Sequence, residues 1–484
     1  MTALCLVQFI DVLGVTVVVT SLPPMLASLH AAQSYGSLIA TGYAMFFGGL
    51  LMLGARLGDR YGHRRTILAS LAIFAAGAVV AATATSIVTL TAGRCLQGAA
   101  AAASVPSALR LLTTITAGGP ERRRAIAAWS AAGAAAGASG FVVGGVVTDL
   151  ISWRFVFWAF IPLAVILGGI IAASVPAGTG SEPVKSLNLA GAAAFTTAVM
   201  AFVVGTTVIT TPAGHAAGGL ALGACAGLVA VFVAIDRRAE APLLPRELIS
   251  HAALRQGALG GFLNTATTSS AITLVTLYLQ NTLHRSPLQA AAALLPFSLA
   301  VIAGSSLSAS ALRRLRAQQV VAVGLAVIAA ADAALIPAAG SLWAFGLCAA
   351  GAGAGIGLSS VAATGLGTDV DPRWRGGAAG VINTAAQLGT AVGVAVLLLI
   401  AAVTGGVPAA GTPAPDVAWA AGALAAAAGA VRFALAARDR SGRPRPSHGG
   451  TPLGADNSGG ENGLGRSSEM GHDRYVRSRD LGDG

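Results

Sequence analysis

The stretch Gly54-Ala55-Arg56-Leu57-Gly58-Asp59-Arg60-Tyr61-Gly62-His63-Arg64-Arg65 decides how this chain is read. It gathers arginines, one acid and glycines between two apolar runs, 37–56 and 66–84. An α-helix rises ~1.5 Å per residue, so about 20 apolar residues cross a ~30 Å hydrocarbon core. Both flanking runs have that length. Backbone exposed to lipid must satisfy its own hydrogen bonds, which suits helices. The charged stretch is therefore a polar turn between two membrane-crossing helices.

Working outward, apolar runs of this length recur at 3–22, 87–112, 126–147, 155–173, 189–210, 217–235, 256–279, 290–312, 320–336, 342–366, 378–403 and 418–437. Hydrophobic residues make up 55% of the 484 residues and charged residues 10%, whereas a soluble domain carries about 25% charged residues. Such a chain lacks the material for a water-facing surface. The fold class expected is an all-α integral membrane protein of about 14 transmembrane helices. The runs 189–210 and 217–235 can be dropped together without moving any other loop across the membrane, so twelve spans stays open beside fourteen. The first run lacks a basic leader and a small-residue cleavage site, and is expected to remain as the first span.

The arginines orient the chain. With Met1 placed in the cytoplasm, inner loops and helix ends carry Arg56, Arg60, Arg64, Arg65, Arg110, Arg122–Arg124, Lys185, Arg237, Arg238, Arg246, Arg255, Arg313, Arg314, Arg316, Arg373 and Arg375. The outer side carries only Arg154 and Arg285, as the positive-inside rule asks. The net charge of +11 thus belongs to loops and tail, and does not point to nucleic acid. Cys5, Cys95, Cys225 and Cys348 lie in apolar runs without metal-like or disulfide-like spacing, and are expected buried and unpaired. The segment 438–484 is rich in Gly, Ser, Arg, Asp and Pro and is expected to be a disordered cytoplasmic tail, since it has too little to bury to offset its ordering entropy.

The opening stretch resembles the signature between helices two and three of the major facilitator superfamily, with Asp59, Arg60, Gly62, Arg64 and Arg65 in place. Ala55 stands at the family's leading glycine and His63 at a basic position. Arg94-Cys95-Leu96-Gln97-Gly98 resembles the family's Arg-x-x-Gln-Gly signature. Gly140-Phe141-Val142-Val143-Gly144-Gly145 resembles the antiporter signature, with Phe141 in place of its proline. Trp153-Arg154-Phe155-Val156-Phe157, Ser286-Pro287-Leu288-Gln289, Leu295-Pro296, Gly380-Val381-Ile382-Asn383-Thr384 and Gln387-Leu388-Gly389 look like the fourteen-span drug:proton antiporter branch. The resemblance covers residues 1–437. It implies a six-helix bundle over 1–174, two extra transmembrane helices within a linker over 175–250, and a second six-helix bundle over 251–437. It also implies rocking of the two bundles around a central cavity. Asp59, Arg60, Gly62, Arg64 and Arg65 would form a conformational latch, with Asp59 accepting from a helix N-terminus and the arginines held by lipid phosphates or a neighbouring acid.

Charges at membrane depth cost several kcal/mol unless paired or hydrated, which singles out Asp11, Arg94 and Asp332 as candidates for proton coupling. Arg94 lies seven residues into its run, with Gln97 a turn on. Snorkelling to the surface is the rival reading. Asp11 sits three residues before Gly14, where the fourteen-span branch carries its acid. Positions three apart share a helix face, so Asp11 is expected to replace that acid as proton carrier. The rival is a structural Asp bonded to backbone or to Gln8. Asp332 is a second proton or cation site, or part of an outer vestibule. Gln97, Gly98, Gly140, Gly144, Gly145, Asn383 and Gln387 are assigned to helix packing and the cavity. Overlapping small-x-x-x-small patterns, Gly133 to Gly144 and Gly351 to Gly357, let helices approach closely.

Together these readings point to a secondary active exporter of small amphiphilic drugs or antibiotics, driven by protons. Expected partners are the substrate, protons and the lipid bilayer. No Walker motif is present, so ATP is not expected, nor is any cofactor, metal or enzymatic activity. An importer or facilitator of a polar metabolite, or a non-transporting sensor, remains the alternative. Multi-pass insertion in the cell membrane with both termini cytoplasmic is the expected placement.

Overall fold

The structure, a computed structural model, describes residues 1–32, 35–116, 120–175, 187–210, 214–338, 341–371, 375–405 and 414–439. The expected disordered tail lies outside the described residues from 440 onward, as do Lys185 and Arg373. The elements are α1 (Thr2–Ser28), α2 (Gly36–Tyr61), α3 (His63–Ala82), α4 (Ile87–Ile115), α5 (Pro120–Leu150), α6 (Trp153–Ser174), α7 (Leu189–Val208), α8 (His215–Arg238), the short α9 (Arg246–Ser250), α10 (Ala252–Leu277), α11 (Pro287–Ala311), α12 (Ala317–Ala334), α13 (Leu342–Gly367), α14 (Arg375–Val403) and α15 (Asp416–Asp439). A single π-helical turn, Tyr278–Thr282, extends α10.

Local chemistry sets the helix ends. Gly62 holds a φ of +89°, which lets one residue turn α2 into α3, since glycine lacks the Cβ that makes this region costly. Ser86 and Thr89 form a capping box at the start of α4. Ser286 and Gln289 form another at the start of α11, where Pro287 takes the first helical position. These caps satisfy amide groups that a helix start leaves without partners.

Among the described residues, twelve helices are long and apolar enough to cross a membrane by length and composition, and these include α7 and α8. The two other long helices, α4 and α10, fall outside that set. Their polar residues explain it. α4 buries Arg94, Gln97, Ser104 and Ser107, and α10 buries Asn264, Thr267, Thr268, Ser270, Thr273 and Thr276. Both helices are inner elements of their bundles, so polarity that lowers hydropathy is turned away from lipid.

Packing follows a repeat. In the first bundle α1 packs on α5, α2 and α3 pack on α4, and α3 packs on α6. In the second, α10 packs on α14, α11 and α12 pack on α13, and α12 packs on α15. Between the two six-helix bundles, α2 meets α14 and α5 meets α11. The hairpin α7–α8 seats α7 against α2 and α14. Without a hydrophobic drive between helices in lipid, small residues that let backbones approach hold such bundles together. The stripe Gly133, Gly137, Gly140 and Gly144 turns wholly to α1, facing Gln8, Val12, Thr16 and Val17 in order. On α13 the glycines divide: Gly353 and Gly357 abut Phe297 and Val301 of α11, while Gly351 and Gly355 abut Ala331 and Ile328 of α12. Positions four apart share a face and positions two apart do not.

Candidate functional site

Asp11 lies on the inner face of α1, 5% exposed. Its carboxylate accepts a hydrogen bond from the Tyr43 hydroxyl of α2, which also reaches the Asp11 backbone oxygen at 3.4 Å. The Tyr43 ring in turn lies beneath Arg94 of α4, with the guanidinium carbon 4.7 Å from its centroid. Arg94 Nη1 donates to Gln97 Oε1 at 3.0 Å. A continuous polar chain, Asp11–Tyr43–Arg94–Gln97, thus links α1, α2 and α4 within the first bundle. Arg94 is 1% and Gln97 0% exposed, so Arg94 does not snorkel.

Helix geometry explains the convergence. A Cβ built on Gly14 would meet Phe74, Tyr43 and Phe160 at 3.6–3.9 Å, so Gly14 and Asp11 face the same interior. Gly98 lets α4 touch the Tyr43 backbone carbonyl of α2; a Cβ there would collide with that oxygen. The close approach brings the Tyr43 ring beneath Arg94, one turn earlier on α4. Asp11 and Arg94 make no ion pair within 4.0 Å among the described residues; Tyr43 stands between them. A cavity of about 10 Å³ beside Asp11 is lined by Ser70, Phe74 and Ser104, among others. That is about the volume one water needs. Nε of Arg94 and Nε2 of Gln97 are buried without a partner. A carboxyl joined to a guanidinium through a phenol ring can gain or lose a proton with the change of charge felt by neighbouring groups.

Tyr43 was not singled out by the sequence. The signal available was a tyrosine inside an apolar span, since a buried phenol hydroxyl usually finds a partner. Gln8, the rival partner of Asp11, lies instead against Gly133 of α5, and its Oε1 has no hydrogen bond.

Asp332 stands elsewhere, on α12 of the second bundle. It is 1% exposed, and neither carboxylate oxygen has a hydrogen-bond partner. A Cβ on Gly422 of α15 would meet its Oδ2 at 3.4 Å. It is enclosed where α12 meets α15.

The latch residues meet the following groups among the described residues. Asp59 Oδ1 lies 3.5 Å from Nε2 of His63, the first residue of α3. The Arg64 guanidinium donates to the Ala172 carbonyl at the end of α6, at 2.7 Å. Arg56 reaches across to the carbonyls of Ala241 and Pro242 at 2.7 and 2.6 Å. Arg60 lies over the Tyr61 ring, and Arg65 is exposed. Backbone carbonyls at C-terminal ends carry partial negative charge and suit a guanidinium. Gly62 is the turn itself.

The antiporter signature divides between two neighbours. Gly140 and Gly144 face α1, whereas Gly145 meets Pro287, Leu288 and Ala291 of α11 in the other bundle. Phe141 packs edge-on against Phe297 with ring centroids 6.0 Å apart. On the other contact between bundles, Gln387 of α14 fills the space in front of Gly48 of α2, and Asn383 is half-buried one turn earlier. Trp153 Nε1 donates to Ser28 of α1 at 2.9 Å, and Arg154 to the Ala84 carbonyl after α3 at 2.9 Å. The two residues thereby clamp three helix ends. All four cysteines are free, three of them buried.

The profile of the Major Facilitator Superfamily matches residues 4–394. The cephamycin export protein CmcT of Amycolatopsis lactamdurans is 32% identical over 412 residues, covering 82% of this chain and 83% of that protein. The puromycin resistance protein pur8 of Streptomyces alboniger is 30% identical, covering 81% of this chain and 79% of its own length. Among solved structures, the human organic anion transporter MFSD10 superposes with a TM-score of 0.60 at 17% identity, over 89% of this chain and 98% of its own. The peptide transporter POT in complex with sulfate superposes with a TM-score of 0.66 at 15% identity, over 91% and 94%. The family match and relatives aligned over about four-fifths of their length agree with the helix packing: the chain belongs to the Major Facilitator Superfamily.

Proposed function

We propose that this chain is a secondary active transporter that exports small amphiphilic drugs or antibiotics in exchange for protons. The observation that carries the reading is the buried chain Asp11–Tyr43–Arg94–Gln97. An acid and a cation held in apolar surroundings are expensive to keep; a proton relay accounts for the expense. Asp11 is the proton carrier. Tyr43 transmits its charge state to Arg94, and Arg94 with Gln97 couples that state to the packing of α4 on α2. Asp332 enters as a second candidate for protonation, in the other bundle. The export and resistance proteins among the relatives favour antibiotics as the substrate class.

In this reading the chain crosses the cell membrane fourteen times, α4 and α10 included, with both termini cytoplasmic. Residues 1–174 and 251–437 form the rocking bundles, and 175–250 carries the two extra helices. Asp59, Arg60, Gly62, Arg64 and Arg65 form the latch at the turn from α2 to α3, and its Arg64 tie to the end of α6 releases when the bundles rock. Gly98, Gly140, Gly144 and Gly145 set how closely helices pack, and Asn383 and Gln387 lie where the bundles meet. Protons and the bilayer are partners; ATP, nucleic acid and enzymatic chemistry have no part.

The test pairs a toxic-compound panel in an efflux-deficient host with proton flux in proteoliposomes. Wild type is expected to protect against at least one antibiotic and to release protons from acid-loaded vesicles when that compound is added. Asp11→Asn is expected to abolish the proton movement while the protein remains folded. Unchanged flux in Asp11→Asn removes Asp11 as the carrier, and protection against no compound favours the metabolite reading.

A further inference from the structure

Where α8 runs through Ala239–Pro245 into α9 and α10, a cavity of about 420 Å³ opens beneath Phe232. Arg237, Arg246 and Arg255 line it, one from each of these three helices. Its single acid, Asp236, is already engaged. Asp236 Oδ1 accepts from Asn188 Nδ2 at 2.8 Å and from the Leu243 amide at 2.6 Å, and Oδ2 accepts from the Leu244 amide at 3.1 Å. These bonds close the turn after α8. Among the described residues none of the three arginines has an ion-pair partner within 4.0 Å. Arg255 is oriented by the carbonyls of Ile249 and Ser250, at 3.2 and 2.7 Å, which leaves its other guanidinium donors free.

We infer that this cavity binds a phosphate-bearing anion through Arg237, Arg246 and Arg255. Three guanidinium forks converging on one cavity match the oxygens of a phosphate, which planar donor pairs bind bidentately. An arginine cluster that merely obeyed the positive-inside rule would need no cavity and no diverted acid. Two sources supply this chemistry. One is an anionic lipid, whose acyl chains would lie along the exposed Val229 of α8, one turn before the Val233 that lines the cavity; basic pockets between spanning helices hold such headgroups. The other is a free phosphate compound. Either would tie the extra hairpin to the first helix of the second bundle.

The full-length chain in detergent is titrated with phosphatidylglycerol, with zwitterionic phosphatidylcholine and with inorganic phosphate, and bound molecules are counted by native mass spectrometry. One triple variant carries Arg237→Gln, Arg246→Gln and Arg255→Gln; a charge-matched control carries Arg238→Gln, Arg313→Gln and Arg314→Gln. Wild type and control are expected to retain one phosphatidylglycerol per chain, and the cavity triple to bind it about a hundredfold more weakly. If the triple does not fold, Arg246→Gln alone is read, with an expected loss of about fivefold. Binding of inorganic phosphate with the same arginine dependence, and displacement of the lipid by it, assigns the site to free phosphate compounds; retention of phosphatidylglycerol alone assigns it to lipid. Equal losses in both triples, or equal retention of phosphatidylcholine, overturns the site in favour of a diffuse basic surface.

Discussion

In the first bundle α5 lays Gly140 and Gly144 against Thr16 and Val17 of α1; in the second, α14 lays Gly389 and Gly393 against Phe262 and Ala266 of α10. The same correspondence joins α2 with α4 through Gly54 on Ala102, and α11 with α13 through Gly304 on Ala354. The chemistry at the two centres differs. Where α1, α2 and α4 hold Asp11, Tyr43, Arg94 and Gln97, helices α10 and α13 hold Asn264, whose amide donates to Ser360 at 3.0 Å and Ser359 at 3.3 Å. Backbone approach is set by helix geometry and repeats in both halves. Ionisable groups are costly in lipid, and among the described residues a linked set of them lies in the first half. The packing is thus shared, and under the proposed function the proton task falls to the first half.

The largest expected effect breaks that asymmetry directly. Arg94→Ala removes the donor to Gln97 and the cation above Tyr43, and is predicted to reduce substrate-induced proton flux to background. Asn264→Ala in the second centre is predicted to leave proton drive intact and to change apparent substrate affinity only. Flux measured side by side in vesicles checks both. Loss of proton drive in Asn264→Ala would mean that the two centres share the task.

A second comparison concerns the shared packing. Gly98→Ala and Gly393→Ala each drive a methyl into a backbone carbonyl, of Tyr43 and Ala266 respectively. Each is predicted to destabilise by ~1–3 kcal/mol, the usual cost of overpacking, and by similar amounts in the two halves. Gly223→Ala on α8, with nothing within 4 Å of the new atom, is predicted to stabilise slightly, by ~0.5–1 kcal/mol. Thermal unfolding in detergent reads all three. A loss confined to one bundle would show that the repeat is one of shape without equal tightness.

Much of this was legible in the sequence, for identifiable reasons. Apolar runs and the arginine asymmetry reveal helices because lipid imposes one rule on every span. They reveal α4 and α10 as well, as the runs 87–112 and 256–279, although the inward polar residues of these two lower their hydropathy below that of the other twelve. Asp11 and Arg94 stood out through the cost of charge at depth. Their link through Tyr43 did not, because it depends on Gly98 admitting α4 to the Tyr43 backbone, a contact between distant segments. The latch arginines were legible as a motif, but their carbonyl partners were not. Arg56 and Arg64 reach the linker and the end of α6, at sequence separations of 185 and 108. The π-turn at Tyr278–Thr282 had no signal either; it brings Gln280 Nε2 within 2.8 Å of the Thr20 carbonyl of α1.

Tyr43→Phe sharpens the comparison further. It keeps the ring beneath Arg94 and removes only the hydroxyl that donates to Asp11. A buried acceptor left without its donor costs ~1–3 kcal/mol, so the variant is predicted to fold with lower thermal stability and to retain slower proton flux. Flux equal to wild type would reduce Tyr43 to a packing residue.

The smallest effect is expected from the acid of the second bundle. Asp332 has two buried oxygens without partners, close to Gly422 and Leu397. Leucine repeats the branched shape with bulkier methyl groups, and removing the cost of burying an unpaired polar group, ~1–3 kcal/mol in proteins, offsets the overpacking. Asp332→Leu is therefore predicted to unfold at the same temperature or slightly higher. Proton flux in the same vesicles then decides its role. If Asp11 alone carries the coupled proton, flux per exported molecule stays at the wild-type ratio. A fall in that ratio with transport preserved would make Asp332 a second carrier and would extend the proton task to both halves.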